Sequence, residues 1–335
     1  MLDQRNAQEM EPEVNSKMKA IVITKYGPPE VLQLKEVEKP TPTDNQVLVR
    51  VQAASVNPAD LASVQGAFLA RLLGTGLRKP KRKIFGTDLA GRVESAGGNV
   101  KQFQAGDEVF GAAPGSFAEF ACARQDLLVL KPPSITFEEA AALPVAAITA
   151  LQGLRDKGHI QIGQEVLIEG ASGGVGTFAV QIAKSFGAEV TAVASTKKLD
   201  DARSLGADHV IDYTRENFTK SGKRYDLIIA ANGHHSILAY RRSLKPNGVC
   251  VLIGGGMAQL FQFVLFSGLL SKTGSKKMKF FIAKLNHPDL IFLKELLEAG
   301  KLKPLIDRRY TINKVPEAVR YLEEKHARGK VVITL

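Results

Sequence analysis

The chain has 335 residues, 44% hydrophobic and 24% charged, which fits a globular protein of about two domains and excludes a fibrous or wholly disordered one. Its two cysteines, Cys122 and Cys250, form no Cys-x-x-Cys pair, so neither a disulfide framework nor a structural zinc is expected. A formal net charge of +11 suits an anionic cofactor and leaves nucleic acid or an anionic membrane surface as alternatives.

Residues 1–17 read as an unstructured extension. They lack an apolar core segment and carry Asp3, Glu9, Glu11 and Glu13, unlike a signal or transit peptide, so a cytoplasmic location is expected. Residues 18–145 form a β-rich domain: MKAIVIT, VLQLKEV, VLVRVQAASV, AGRVESA, GDEVFG and FAEFACA are short strands between Pro and Gly turns. Within it lies the basic stretch 71–83, with Arg71, Arg78, Lys79, Lys81, Arg82 and Lys83 beside Leu69, Leu72, Leu73 and Leu77. A solvated loop is the expectation there, with peripheral membrane contact as the alternative; nucleic acid is not expected as a partner. Thr136 and Glu139 make a capping box for a helix at Phe137–Ala142. Pro144 interrupts it, and Ala146–Asp156 continues as helix.

Residues 146–284 then alternate strands and helices. EVLIEGA, AEVTAVAS, DHVIDY, YDLIIAAN, GVCVLIGG and KMKFFIAK are six strands, which predicts α/β architecture with a doubly wound parallel sheet. Leu260–Leu270 is apolar but too short to span a bilayer, and reads as a buried lid or subunit contact. Residues 285–335 return through helices at Asp289–Ala299 and Pro316–His326, with Leu302–Tyr310 between them, and end in a strand at Lys330–Leu335. This tail is expected to rejoin the β-rich domain and leave the nucleotide domain inserted.

The richest segment is Val166–Gly176, VLIEGASGGVG: an apolar strand running into a glycine turn, with a helix expected at Thr177–Phe186. G-x-G-x-x-G fits Ala171-Ser172-Gly173-Gly174-Val175-Gly176, with Ala in the first place. Such a turn lets backbone approach a pyrophosphate, and the following helix aims free N–H groups at the anion. An NAD-type site carries an acid at the end of the second strand. Here Ser195, Thr196, Lys197 and Lys198 stand there, with no acid before Asp200. Hydroxyls and an ammonium attract a 2′-phosphate, so NADP(H) is expected, with Lys198 as charge partner and Ser195 and Thr196 as donors.

ASVNPAD at 54–60, GDEVFG at 106–111, AAALPVAAITA at 140–150, GASGGVGTFAVQIAK at 170–184, GADHVIDY at 206–213 and HARGKVVI at 326–333 occur in one order. On these motifs the chain resembles the medium-chain dehydrogenase/reductase superfamily, within it the zinc-independent quinone oxidoreductases. The resemblance implies a Rossmann sheet inserted in a GroES-like catalytic domain, and a homodimer. In the zinc enzymes of the superfamily, ligands fall where this chain has Asn57, Thr87 and Val145. Those residues supply no zinc set, and no metal is expected. The implied substrates are quinones, enones and enals, which conjugation already polarises.

By the same resemblance, Asn57 sits near nicotinamide and substrate, either donating to a carbonyl oxygen or satisfying a turn before Pro58; Asp60 is structural. Thr149 contacts cofactor. Ser172, Gly173, Gly174, Val175 and Gly176 make the pyrophosphate turn, and Tyr213 flanks the adenosine phosphate. Gly254 and Gly255 admit the nicotinamide. Arg328 and Lys330 are phosphate or amide partners. Val64-Gln65-Gly66-Ala67-Phe68 replaces a stretch that often carries Tyr and Arg, so no side-chain proton donor is named. His234 and His235 read as surface or, at most, as cleft lining. Two other functions fit the same features: an NADPH-binding protein with little turnover acting at membrane or RNA surfaces, and a zinc-free alcohol or aldehyde reductase.

Overall fold

The computed structural model describes residues 16–67, 76, 78–81, 83–272, 274–324 and 327–335; the extension at 1–15, most of the basic stretch at 68–75, 77 and 82, and His326 lie outside them. Strands β1 (Lys17–Val22) and β2 (Gln33–Glu38) pair as an antiparallel ribbon. The long strand β3 (Gln46–Val56) organises the next sheet. One edge of it pairs with β4 (Asp88–Ala96). The other is shared by β6 (Phe120–Arg124) near its start and β15 (Lys330–Thr334) at its end. With β5 (Glu108–Ala112), β7 (Leu128–Leu130) and β14 (Ile306–Thr311), the sheet order is β14-β15-β3-β4-β5-β7, with β6 on β3. The last strand of the chain therefore lies against one of the first.

Helix α1 (Pro58–Gln65) follows β3 directly and is absent from the sequence reading. It starts because Pro58 sits at the first helical position and Asp60 accepts the Asn57 N–H at 2.8 Å. Helices α2 (Phe137–Ala141) and α3 (Pro144–Gln152) cross between the two large sheets. The Thr136 capping box is formed: the Glu139 N–H donates to Thr136 Oγ1 at 3.2 Å, and the Thr136 N–H to Glu139 at 2.9 Å. Pro144 opens α3 rather than breaking it. Small side chains from Ala140 to Ala150 let these helices seat closely, and their core runs continuously from Ala53, Ala90 and Phe110 to Val166, Ile168 and Leu227.

The second large sheet is fully parallel. Its elements are β8 (Glu165–Glu169), α4 (Gly174–Ser185), β9 (Glu189–Ala194), α5 (Leu199–Ser204), β10 (His209–Asp212), β11 (Tyr225–Ala230), α6 (Ile237–Arg242), β12 (Leu244–Leu252), α7 (Met257–Lys272) and β13 (Lys277–Phe280). Val166, Leu167 and Ile168 of β8 are all fully buried, as a central strand covered on both faces requires. Strand order is β10-β9-β8-β11-β12-β13. The order reverses between β8 and β11, which opens a crevice at their carboxyl ends, the ligand position of doubly wound sheets. Helices α8 (His287–Glu298) and α9 (Val315–Glu323) flank β14 and lead to β15.

The stretch 260–270 departs from the sequence reading. It lies in α7, where Phe263 is buried while Met257, Phe261, Val264, Leu265, Phe266 and Leu269 are exposed. It is no buried lid in the single chain, because it lies on the outside of the sheet, packed against β13 and α6 alone among its larger contacts. Among the described residues no helix is long and apolar enough to cross a membrane.

Candidate active site

The glycine turn lies at the end of β8, at the reversal of strand order. Gly173 caps α4, so the N–H groups of Gly174, Val175 and Gly176 are in its first turn, where no intrahelical acceptor exists. Gly176 is forced by space: a Cβ there would lie 2.0 Å from the Gly170 carbonyl oxygen and 2.7 Å from Ala171 Cα. The floor of the turn is thus backbone packed on backbone. A glycine-rich turn ahead of three first-turn N–H groups fits a pyrophosphate.

The C-terminal segment closes over this turn. The Gly329 N–H donates to the Ser172 carbonyl at 2.9 Å, and Gly173 bridges to Gly329 in parallel fashion. Lys330 lays its stem beside Gly174, where an added Cβ would meet Lys330 Cδ at 3.1 Å. Its ammonium then runs away from the turn. It donates to Asn57 Oδ1 at 2.6 Å and to the Val56 carbonyl at 3.4 Å, and lies 3.6 Å from Asp88 Oδ2. Lys330 is expected as a phosphate or amide partner; at 3% exposure its ammonium faces Asn57 and Asp88 inside the protein.

Asp88 is the hub of that interior, and the sequence reading missed it. Its Oδ2 accepts from Ser55 Oγ at 2.9 Å and from Asn57 Nδ2 at 2.8 Å; its Oδ1 accepts the Val145 N–H at 3.0 Å. Two of the three positions that hold zinc ligands in the zinc enzymes, Asn57 and Val145, therefore meet on one carboxylate. The cation beside them is the chain's own ammonium. Thr87 contributes backbone: its carbonyl accepts the Ala113 N–H at 2.9 Å. Among the described residues, no three His, Cys, Asp or Glu side chains converge in metal-binding geometry. The Asn57 amide is oriented from both ends, with oxygen toward Lys330 and nitrogen toward Asp88, and Nδ2 keeps a second hydrogen.

Burial shapes the charges here. It pushes Asp88 up and Lys330 down, and their mutual attraction opposes both shifts. Asp60 is pushed from 3.8 up to about 7, chiefly by burial, against the Asn57 N–H that favours its charged form. With the folded pKa raised, the stability gained from this group is complete below about 3.8 and is lost as pH rises through about 7. Asp60→Asn keeps an acceptor for the cap and has no charge to bury. The wild-type melting temperature should therefore fall more steeply between about pH 4 and pH 7 than that of the variant, by thermal melts in matched buffers. Parallel slopes would contradict it.

The other expected residues fall as follows. Thr149 lies one helical turn after Val145 on α3 and donates to its carbonyl at 2.6 Å. Gly254 and Gly255 follow β12 at the crevice, where the Gly254 carbonyl accepts the Gly233 N–H at 2.8 Å. Tyr213 is exposed after β10, and its N–H donates to the Ala194 carbonyl at 3.1 Å. Ser195 caps a short turn at the end of β9. The Thr196 hydroxyl is engaged by Asp212 and Thr214, so its role as a phosphate donor would require that engagement to change. Lys198 donates to the Ala327 carbonyl at 3.0 Å, and Arg328 pairs with Asp201. The cations expected at the 2′-phosphate are thus gathered from both ends of the fold. His234 is exposed, while His235 is half-buried, packs edge-on to Phe218 and Tyr240, and lies 3.6 Å from Glu169. Glu169, at the end of β8, accepts from the Tyr240 hydroxyl and is pushed up to about 7 by burial.

Residues 43–133 match the alcohol dehydrogenase GroES-like domain, and residues 205–333 match the zinc-binding dehydrogenase family. The chain is 37% identical to the 2-methylene-furan-3-one reductase of Solanum lycopersicum, covering 96% of this chain and 80% of that protein. It is 35% identical to the chloroplastic NADPH-dependent alkenal/one oxidoreductase of Arabidopsis thaliana, with the same coverages. The quinone oxidoreductase from Coxiella burnetii superposes with a TM-score of 0.84 at 32% identity, over 95% of this chain and 99% of that one. A GroES-like β domain carrying an inserted 3-2-1-4-5-6 parallel sheet, with these relatives, defines the class: the chain belongs to the medium-chain dehydrogenase/reductase superfamily. Its place within that superfamily is with the quinone and alkenal/one oxidoreductases.

Proposed function

We propose that this protein is an NADPH-dependent oxidoreductase that reduces quinones or α,β-unsaturated carbonyls without zinc. The observation that carries the reading is the Asn57–Lys330–Asp88 cluster, a buried amide at a position that the family resemblance gives to a zinc ligand, with the chain's own ammonium beside it. Bound NADP(H) supplies hydride. The chain binds its pyrophosphate on the Gly173–Gly176 turn, with Ser172 beside Gly329. Lys198 would hold its 2′-phosphate, with Ser195, Thr196, Tyr213 and Arg328 around it, and Asn57, Thr149, Gly254 and Gly255 would receive its nicotinamide. The second hydrogen of Asn57 Nδ2, oriented by Lys330 and Asp88, is donated to the substrate oxygen as negative charge develops there. An amide and a fixed ammonium polarise a carbonyl less than a bound metal does, so the substrate brings its own activation through conjugation.

The reading divides the chain into a GroES-like domain at 18–145 with its return at 285–335, and a Rossmann domain at 146–284. It places the protein in the cytoplasm, a reducing compartment in keeping with free Cys122 and Cys250. It takes the assembly to be a homodimer, for which the unpaired edge of β13 and the exposed apolar side of α7 offer a continuous surface.

The test is steady oxidation of NADPH and of NADH with a simple quinone, an enone and a saturated aldehyde. Turnover with the first two acceptors and preference for NADPH are expected. A preference for NADH would overturn the cofactor assignment. Tight NADPH binding without turnover, accompanied by salt-sensitive lipid or RNA binding, would favour a binding protein. Equal turnover of the aldehyde would favour an alcohol or aldehyde reductase.

A further inference from the structure

Four consecutive residues reach every part of the dinucleotide site. The Ala327 carbonyl accepts from Lys198, Arg328 pairs with Asp201, Gly329 is bonded to Ser172 on the glycine turn, and Lys330 reaches Asn57. At the end where an acid-free strand terminus admits a 2′-phosphate, this strap introduces an acid that the linear pattern did not place there. Asp201 belongs to the first turn of α5 and is nearly buried at 8% exposure. One of its oxygens takes the Arg328 guanidinium, and the other, Oδ2, is buried with no hydrogen-bond partner. Arg328 itself is half exposed, at 51% of its side-chain area, so its guanidinium can be reached from solvent. The Lys198 ammonium beside them is pushed down, chiefly by burial; Asp307 and Asp201 favour its charge, while Arg328 opposes it. A carboxylate with one unsatisfied buried oxygen depends on that guanidinium for its charge balance, so withdrawing the guanidinium carries a cost. A phosphate dianion offers that guanidinium more charge and more acceptors.

We propose that Asp201 is a specificity-determining residue, a resident carboxylate that holds Arg328 in the unliganded protein and competes with the cofactor's 2′-phosphate for it. Binding of NADPH exchanges one ion pair for another, so the preference for NADPH over NADH is the difference between them. Asp201 lowers that preference, and Arg328 and Lys198 raise it. The acid acts on the phosphorylated cofactor only, because NADH presents nothing to exchange. This inference rests on the NADPH reading, and the experiment separates the two.

The test uses the full chain and two fragments that lack nicotinamide: 2′,5′-ADP, which carries the phosphate, and 5′-AMP, which does not. Equilibrium titration of each is compared in wild type, Asp201→Asn, Arg328→Gln and the double variant. Asp201→Asn should tighten 2′,5′-ADP by about three- to tenfold and leave 5′-AMP within about twofold. Arg328→Gln should weaken 2′,5′-ADP by about tenfold, and in its background the gain from Asp201→Asn should vanish. If Asp201→Asn leaves 2′,5′-ADP unchanged or weakens it while wild type prefers that fragment, Asp201 is structural and the proposal falls. A gain that persists in the Arg328→Gln background also overturns it. If wild type binds both fragments equally and Asp201→Asn creates a preference, the NADPH reading falls and the competition stands. Equality in both proteins overturns both. If Asp201→Asn does not fold, Asp201→Ser takes its place in the same cycle, with the same outcomes deciding.

Discussion

Lys330→Met should destabilise the protein by about 3–5 kcal/mol, because it removes one partner of a buried charged pair and leaves the other without a cation. Asp88 is fully buried, and its three remaining donors, Ser55, Asn57 and the Val145 N–H, are all neutral. Methionine fills the channel beside Gly174 but cannot fix the Asn57 oxygen. Adding Asp88→Asn removes the stranded charge, so the double variant should recover more than half of the lost stability. It should not recover catalysis, since Asn57 is still unanchored. Loss of an oriented donor of this kind lowers kcat by about a hundredfold. Denaturant melts of the two variants, with NADPH oxidation on a quinone alongside, read the two effects separately. A loss of stability below about 1 kcal/mol in Lys330→Met would show that the ammonium is not what compensates Asp88.

Gly176→Ala should abolish dinucleotide binding and lower stability by several kcal/mol, because the added Cβ meets backbone. At 2.0 Å from the Gly170 oxygen it cannot be accommodated by a rotamer change; the turn itself must open. Gly173 gives the matched control. Its φ of −84° is open to any residue, and the nearest atom to an added Cβ is 3.5 Å away. Gly173→Ala should therefore melt within about 1 kcal/mol of wild type. Thermal melts and NADPH fluorescence titration of both variants check this pair. Equal behaviour of the two would mean that the close approach at Gly176 does not govern the turn.

The glycine turn was legible in the sequence because its demands are local: an apolar strand, four glycines and a helix lie within twenty residues. The six strands of the parallel sheet were legible for the same reason, each marked by its own apolar run. The Thr136–Glu139 cap needed only four residues. Helix α1 was not, since eight residues beginning Pro-Ala-Asp read as a turn until Asp60 is seen holding the Asn57 N–H. The direction of Lys330 was hidden by distance along the chain, as its acceptor Asn57 lies 273 residues away. Proximity to a cofactor motif suggested a phosphate partner; tertiary structure turned the ammonium to the other end of the site. Asp88 could have been suspected as a carboxylate opening a strand of small and apolar residues. Nothing local tells that Asn57 and Val145 converge on it. Asp201 was passed over because it lies beyond the strand end where an acid is sought, and it returns to that site only by packing against Arg328 from the far end of the chain.

The central claim is that an amide held by the chain's own ammonium replaces a metal, so that only conjugated acceptors are reduced. It is tested most directly by kcat/KM for an enone and for its saturated ketone, with NADPH and with protein stripped of metal and assayed for residual zinc. The account predicts undiminished enone reduction after stripping and a preference for the enone of at least about a hundredfold. Comparable reduction of the two ketones, or enone activity that vanishes on stripping and returns with zinc, would contradict it.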